Sequence, residues 1–195
     1  MADTQNVVGV LLAAGQARRM EGASKVLALF DDKPLVRRQA KRLLDSLCME
    51  VRVVIGHDQA RVTEALRDLP VQIIHNPKHA DGMGTSIACA ASRVSKQGLL
   101  LAFADMPDLD TPHFDAIIAR WQKLGAQQIV RGANRDAPGH PILFPSKHVP
   151  MLRNLSGDQG AKALVEGAEL VDIGNAATLD VDTRAEVRKA GGQPG

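Results

Sequence analysis

Three stretches of the chain carry residue types that could act on phosphates. The first, residues 12–25, reads LAAGQARRMEGASK and combines glycines, which let a backbone approach a ligand closely, with Arg18, Arg19 and Lys25. It matches neither the GxGxxG dinucleotide pattern nor the GxxxxGK[ST] phosphate loop. Its composition alone also fits a flexible basic surface loop. The second stretch is AFADMPD at 102–108, directly after the most apolar run of the chain. A carboxylate there is costly unless it is solvated or paired. Asp105 is therefore a candidate ligand for Mg²⁺, which takes one or two carboxylates and lets substrate phosphates complete its shell. An aspartate that caps a turn would look the same. The third is LDVDT at 179–183, where Asp182 could add a second carboxylate or cap the helix that follows. Together the three suggest nucleotide-phosphate chemistry.

These residues need elements to hold them. Apolar runs predict strands over 7–12, 51–55, 71–74 and 99–103, and helical spacing predicts helices over 34–48, 59–69, 86–94 and 111–124. Such alternation indicates an α/β domain with a mainly parallel sheet. Ligands of such sheets gather beyond the carboxyl ends of the strands, which is where the 12–25 loop and Asp105 fall. After residue 125 the rhythm changes. Short strands are expected over 128–131, 141–144 and 170–173, with an irregular segment over 132–140. Short helices are expected over 146–152 and 159–166, then a last helix capped by Thr183. This third of the chain is read as an elaboration of the same sheet that walls a cleft.

Composition sets the outer bounds. The chain has 195 residues, 45% of them apolar, enough for one domain that needs no disulfide or structural metal. Lys and Arg number 24 against 22 Asp and Glu, so charge gives no general pull toward nucleic acid or membrane. Cys48 and Cys89 form no CxxC pair and, predicted on helices among apolar neighbours, read as packing residues, as does Trp121. No signal-peptide pattern or membrane-length apolar run is present in the sequence, so a cytoplasmic location is expected. The expected organisation is a flexible start over 1–6, one domain over 7–190 with a nucleotide-binding part (7–124) and an acceptor-binding part (125–190), and a flexible tail over 191–195.

With these motifs placed, the chain resembles the MobA-like nucleotidyltransferase family, and within it the molybdenum cofactor cytidylyltransferases. The resemblance rests on LAAG at 12–15 followed by Arg19-Met20 and Lys25, on Asn76-Pro77 with GMGTS at 82–86, and on ADMP at 104–107. It continues through PGHPILF at 138–144, GDQGA at 157–161 and DVDT at 180–183. It spans roughly 7–187. Glu21 departs from it, standing where family members commonly have glycine, and is expected to bend or charge the phosphate loop.

The resemblance implies a single Rossmann-like domain of the nucleotide-diphospho-sugar transferase type, with a mixed, mainly parallel sheet flanked by helices. It implies transfer of CMP from CTP to the terminal phosphate of molybdopterin, with Mg²⁺ as cofactor and release of pyrophosphate. Arg19 and Lys25 would hold the triphosphate, and Asp105 and Asp182 the metal. Leu12, Ala13, Ala14, Gly15 and Ser86 would contact the nucleotide, and His140 and Asp158 the acceptor. The attacking phosphate oxygen is already ionised, which suits a chain without a Ser-His-Asp, Cys-His or zinc-ligand constellation. Ala14, where the guanylyl branch usually has glycine, narrows the base pocket and favours CTP over GTP. A GTP-using or sugar-phosphate enzyme of the same fold, and a non-catalytic carrier of the cofactor, are the alternatives. A molybdenum hydroxylase or its maturation chaperone is an expected partner; nucleic acid and membrane are not.

Overall fold

A computed structural model of the chain describes residues 6–15, 24–158 and 160–194. Its centre is strand β1 (Val7–Ala13), buried along its whole length because it has neighbours in the sheet and helices over both faces. That two-sided burial is why the strand is an unbroken apolar run without alternation. The chain then passes through the short pair β2 (Leu29–Phe30) and β3 (Lys33–Pro34), helix α1 (Leu35–Leu44) and strand β4 (Glu50–Ile55). Helix α2 (Gln59–Ala65), β5 (Gln72–His75), α3 (Met83–Ala91), β6 (Gly98–Phe103) and α4 (Thr111–Lys123) follow. The last third holds β7 (Val130–Asn134), β8 (Ala137–Phe144), α5 (Val149–Arg153), β9 (Glu169–Asp172) and α6 (Arg184–Lys189).

Seven strands form one sheet in the order β5-β4-β1-β6-β8-β7-β9. The first four are parallel, β8 runs antiparallel to both β6 and β7, and β9 is parallel to β7. The expected mainly parallel, mixed sheet flanked by helices is therefore what forms. One face packs Leu11, Val53 and Leu100 against Ala40 and Leu43 of α1, Val62 of α2 and Phe114, Ile118 and Trp121 of α4. The other packs Val10, Leu12 and Leu101 against Ile87 and Ala90 of α3 and Val149 and Leu152 of α5. Trp121 is fully buried, as expected of a core side chain. A third, small cluster joins Ala28, Phe30 and Leu35 to Val181 and Val187 of the C-terminal segment. No helix among the described residues is long and apolar enough to cross a membrane.

Several local expectations are corrected. Residues 132–140 are not irregular: they form most of a hairpin in which β8 starts at Ala137, with Arg135 at φ 54° in the turn. Pro138 and Gly139 break the alternation that marks a strand, which hid it. The helix expected over 159–166 is a single 3₁₀ turn, Ala161–Leu164. Cys48 lies beyond α1, because Ser46 turns back to bond the Leu43 carbonyl and the helix ends at Leu44. Both cysteines are half-buried and free, and burial pushes the Cys48 thiol up to about 12 and that of Cys89 upward, which suits packing better than nucleophilic chemistry. In the C-terminal tail, Gln193 exchanges both backbone hydrogen bonds with Leu29 (2.7 and 2.8 Å) and Gly192 lies against the Phe30 ring.

Candidate active site

The carboxyl ends of β1 and β6 open into a cleft with two lobes. The smaller, about 290 Å³, is lined by residues 12–15, His79, Gly82 and Ser86. The larger, about 880 Å³, lies toward β7 and β8 and is lined by Leu101, Arg131, His140, Ile142 and the C-terminal segment. Lys25, Met83, Phe103, Asp105 and Asp158 line both, so the lobes meet around them.

Lys25 heads a 3₁₀ turn whose next residues, Val26 and Leu27, are buried in the core and anchor it. Its ammonium lies between two carboxylates, in contact with Asp105 and 2.8 Å from Asp182 Oδ1. Burial alone would lower the Lys25 pKa, but Asp105 and Asp182 outweigh it and hold the ammonium charged above its ordinary range. Asp105 follows the buried end of β6, where the Ala104 amide donates to the Leu12 carbonyl (3.0 Å). Burial pushes the Asp105 pKa up, against the pull of Lys25. The Val181 amide donates to the Asp105 carbonyl (3.0 Å), and Val181 sits in the third apolar cluster. Residues 180 and 182 flank that anchor, and carboxylate oxygens of Asp105, Asp180 and Asp182 all lie within 4.8 Å of one another. Thr183 caps α6 in a reciprocal box with Glu186, whose carboxylate also accepts from the Asp182 amide. Thr183 is thus the cap, and the Asp182 side chain accepts from Lys25 in the cluster.

Asp180 was not among the residues singled out from sequence. Its signal was the D-x-D spacing: in an extended segment, side chains at i and i+2 share a side while the apolar one between them is buried opposite. Three carboxylates at this separation make a hard oxygen donor set of the kind Mg²⁺ and Mn²⁺ prefer, and the ammonium lodged beside them shows that the pocket accepts positive charge.

On the nucleotide side, Ala14 is buried and lines the smaller lobe, while Gly15 is exposed. Ser86, in the first turns of α3, accepts a hydrogen bond from Asn76 Nδ2 (2.9 Å), which also donates to Thr85. Asn76 is itself buried, and its Oδ1 accepts from the Lys78 amide. The Asn76-Pro77 and 82–86 motifs are therefore one hydrogen-bonded unit. Gly82 has φ 113°, and a Cβ there would stand 2.3 Å from the Gly157 carbonyl carbon. The Gly84 amide donates to the Gly157 carbonyl (2.8 Å), and this contact of two loops sets Asp158 at the junction of the lobes.

In the larger lobe His140 meets the Phe103 ring edge-on, with centroids 4.4 Å apart. Burial, reinforced by the nearby Arg131 charge, lowers its pKa to about 4, so the ring is neutral near pH 7. The structure thus brings Leu12 to Gly15, Lys25, Ser86, Asp105, His140, Asp158 and Asp182 to one cleft. Arg18, Arg19 and Glu21 lie outside the described residues. Arg131 lines the cleft as well and was missed from sequence, because nothing in its strand context sets it apart from other arginines.

A model of the MobA-like NTP transferase domain matches residues 9–173. The chain is 29% identical over 193 residues to nicotine blue oxidoreductase of Paenarthrobacter nicotinovorans, covering 93% of this chain and 94% of that one. It is 30% identical over 179 residues to the molybdenum cofactor cytidylyltransferase of Escherichia coli K12, covering 89% and 90%. In fold it is similar to Rv0371c of Mycobacterium tuberculosis H37Rv, with a TM-score of 0.81 and 23% identity over 96% of this chain and 98% of that one. A structure of Rv0371c has also been solved in complex with manganese. The comparisons lend no support to a hydroxylase partner.

Proposed function

Since the chain belongs to the MobA-like NTP transferase family and is a nucleotidyltransferase, we propose that it moves CMP from CTP to the terminal phosphate of molybdopterin, with Mg²⁺ as the metal. The observation that carries the reading is the placement of Lys25, Asp105 and Asp182 where the two lobes of the cleft meet. A donor nucleotide in the smaller lobe and an acceptor phosphate in the larger one would come together at that cluster. Kinship with an oxidoreductase does not redirect the reading: the loop after β1 lacks the dinucleotide fingerprint, and a lysine among three carboxylates is chemistry suited to polyphosphates.

Asp105, Asp180 and Asp182 would hold the metal. Bound there, Mg²⁺ supplies charge neutralisation to the phosphates and polarises the reacting one. The chain's own part is positioning and electrostatics. Residues 12–15 and Ser86 hold the nucleotide, Lys25 carries positive charge to the triphosphate, and Asp158 and His140 border the acceptor. The attacking phosphate oxygen is ionised near neutral pH, so no group has to remove a proton from it. The neutral His140 is consistent with a contact role and not with acid–base work.

The test is pyrophosphate release by the purified protein with Mg²⁺, measured with CTP or GTP against molybdopterin and against sugar phosphates. CTP with molybdopterin should be the preferred pair, and preference for a sugar phosphate or for GTP would overturn that choice. No release with any NTP would point instead to a carrier. In the same assay Asp105→Asn should lose most metal-dependent turnover and Asp182→Asn less, with folds checked by circular dichroism. A larger defect at Asp182 would reverse the ranking of the two ligands.

A further inference from the structure

Most buried or half-buried arginines of the described residues, and the exposed Arg153, have an evident partner. Arg37 pairs with Asp68, Arg52 with Glu50, Arg120 with Glu169, and Arg42 with Asp110. Arg153 has no carboxylate, but it donates to the Ala91 and Val94 carbonyls at the end of α3, where the helix dipole is negative. Arg131 differs. It projects from β7 into the larger lobe and makes no ion pair among the described residues. Its Nε and Nη2 both donate to one carbonyl, that of Gly139 (3.1 and 2.9 Å), which orients the guanidinium without neutralising it. Nη1 has no protein acceptor among the described residues, and Arg131 is half-buried and lines the lobe. Burial already lowers the Arg131 pKa, the direction expected of a cation held without a counter-charge.

Four acids line the lobe, Asp105, Asp158, Asp180 and Asp182, and none of them forms an ion pair with Arg131; Asp105 and Asp182 engage Lys25 instead. His140 beside Arg131 is neutral, and Lys162, also lining the lobe, adds a second positive charge. A half-buried guanidinium oriented by a carbonyl, with no carboxylate paired to it, is suited to receive an oxyanion through its planar array of donors. We propose that Arg131 is the anion receptor of the larger lobe, and that the acceptor substrate carries a phosphate-class oxyanion which Arg131 binds. The assignment of that anion to an acceptor rests on the nucleotidyl-transfer reading; the anion site itself does not.

Two measurements test it. In steady state, Arg131→Gln should lower kcat/KM for the acceptor on the order of 10- to 100-fold and leave the KM for CTP within about twofold, with Arg131→Lys between Gln and the parent. An arginine that only braced the β7–β8 hairpin would affect both substrates alike. Unchanged acceptor kcat/KM, or a matching rise in CTP KM, would overturn the proposal. The second measurement needs no turnover. On a Lys25→Met background, which removes the nucleotide-side cation, calorimetry with inorganic phosphate should detect a site that Arg131→Gln weakens on the order of tenfold or more. Phosphate affinity indifferent to Arg131→Gln would overturn the receptor. If the parent protein released no pyrophosphate from CTP and molybdopterin while phosphate binding still tracked Arg131, the transfer reading would fail and the receptor would stand.

Discussion

Replacing Lys25 by methionine keeps the length and apolar stem of the side chain and removes its charge from between Asp105 and Asp182. At the 2.8 Å separation from Asp182, a unit pair in an effective dielectric near 20 attracts by about 6 kcal/mol before desolvation is counted. Much of that is offset by the cost of burying the ammonium, yet stripping one partner from a buried pair typically costs about 3–5 kcal/mol. The Asp105 and Asp182 side chains are 15% and 30% exposed, and Asp105 can take up a proton once the lysine is gone, so a loss of about 2–3 kcal/mol is expected. For a domain of this size that lowers Tm by about 4–12 °C, readable by thermal denaturation in chelator. The vacated charge should be replaceable. Mg²⁺ at about a hundred times its Kd returns about 2.7 kcal/mol, so the variant should regain most of its Tm and gain more from the metal than the parent does. Turnover should still fall on the order of 10²-fold, because the triphosphate has lost a cation. A Tm that neither drops in chelator nor responds more strongly to Mg²⁺ would refute the electrostatic account of the cluster.

Gly82→Ala should cost roughly 1–3 kcal/mol and raise the KM for CTP, because the new Cβ meets Gly157 at a φ that L-residues rarely adopt; urea denaturation and CTP kinetics check both. His140 gives a pH signature. Its native pKa near 4 lies below the unfolded value of about 6.5, so between these the unfolded chain binds the proton first and stability falls as pH drops. The parent should lose up to about 3 kcal/mol more than His140→Asn from pH 7 to pH 4, each referred to its own value at pH 7, and parallel curves would contradict a buried neutral ring. Ala14→Gly should shift the CTP-to-GTP ratio of kcat/KM toward GTP by no more than the ~1–3 kcal/mol a methyl can supply. An unchanged ratio removes Ala14 from base selection.

The sheet was legible because its strands are buried on two faces: runs such as 7–12 and 99–103 have no other soluble explanation at that length. The hairpin of β7 and β8 was not, since Pro138 and Gly139 interrupt the alternation; Gly139 serves close packing, because a Cβ there would stand 2.0 Å from the Ala177 carbonyl oxygen. Asp105 was visible as an acid stranded at the end of an apolar strand. Asp180 was printed in the same motif as Asp182 but looked like an ordinary exposed acid, because its nearness to Asp105 depends on the Val181 anchor. Arg131 could not be read at all. What distinguishes it is that no ion-pair partner stands beside it among the described residues, and partners are a property of the folded chain.

The Lys25–Asp182 contact joins residues 157 positions apart. Every strand of the parallel half is complete by residue 103, whereas this contact waits until nearly the whole chain exists. During synthesis Lys25 therefore emerges long before Asp182, with which it pairs. The proposed cluster is thus also a record of completion: a chain cut short before residue 180 can own most of the sheet and still lack two of its three carboxylates.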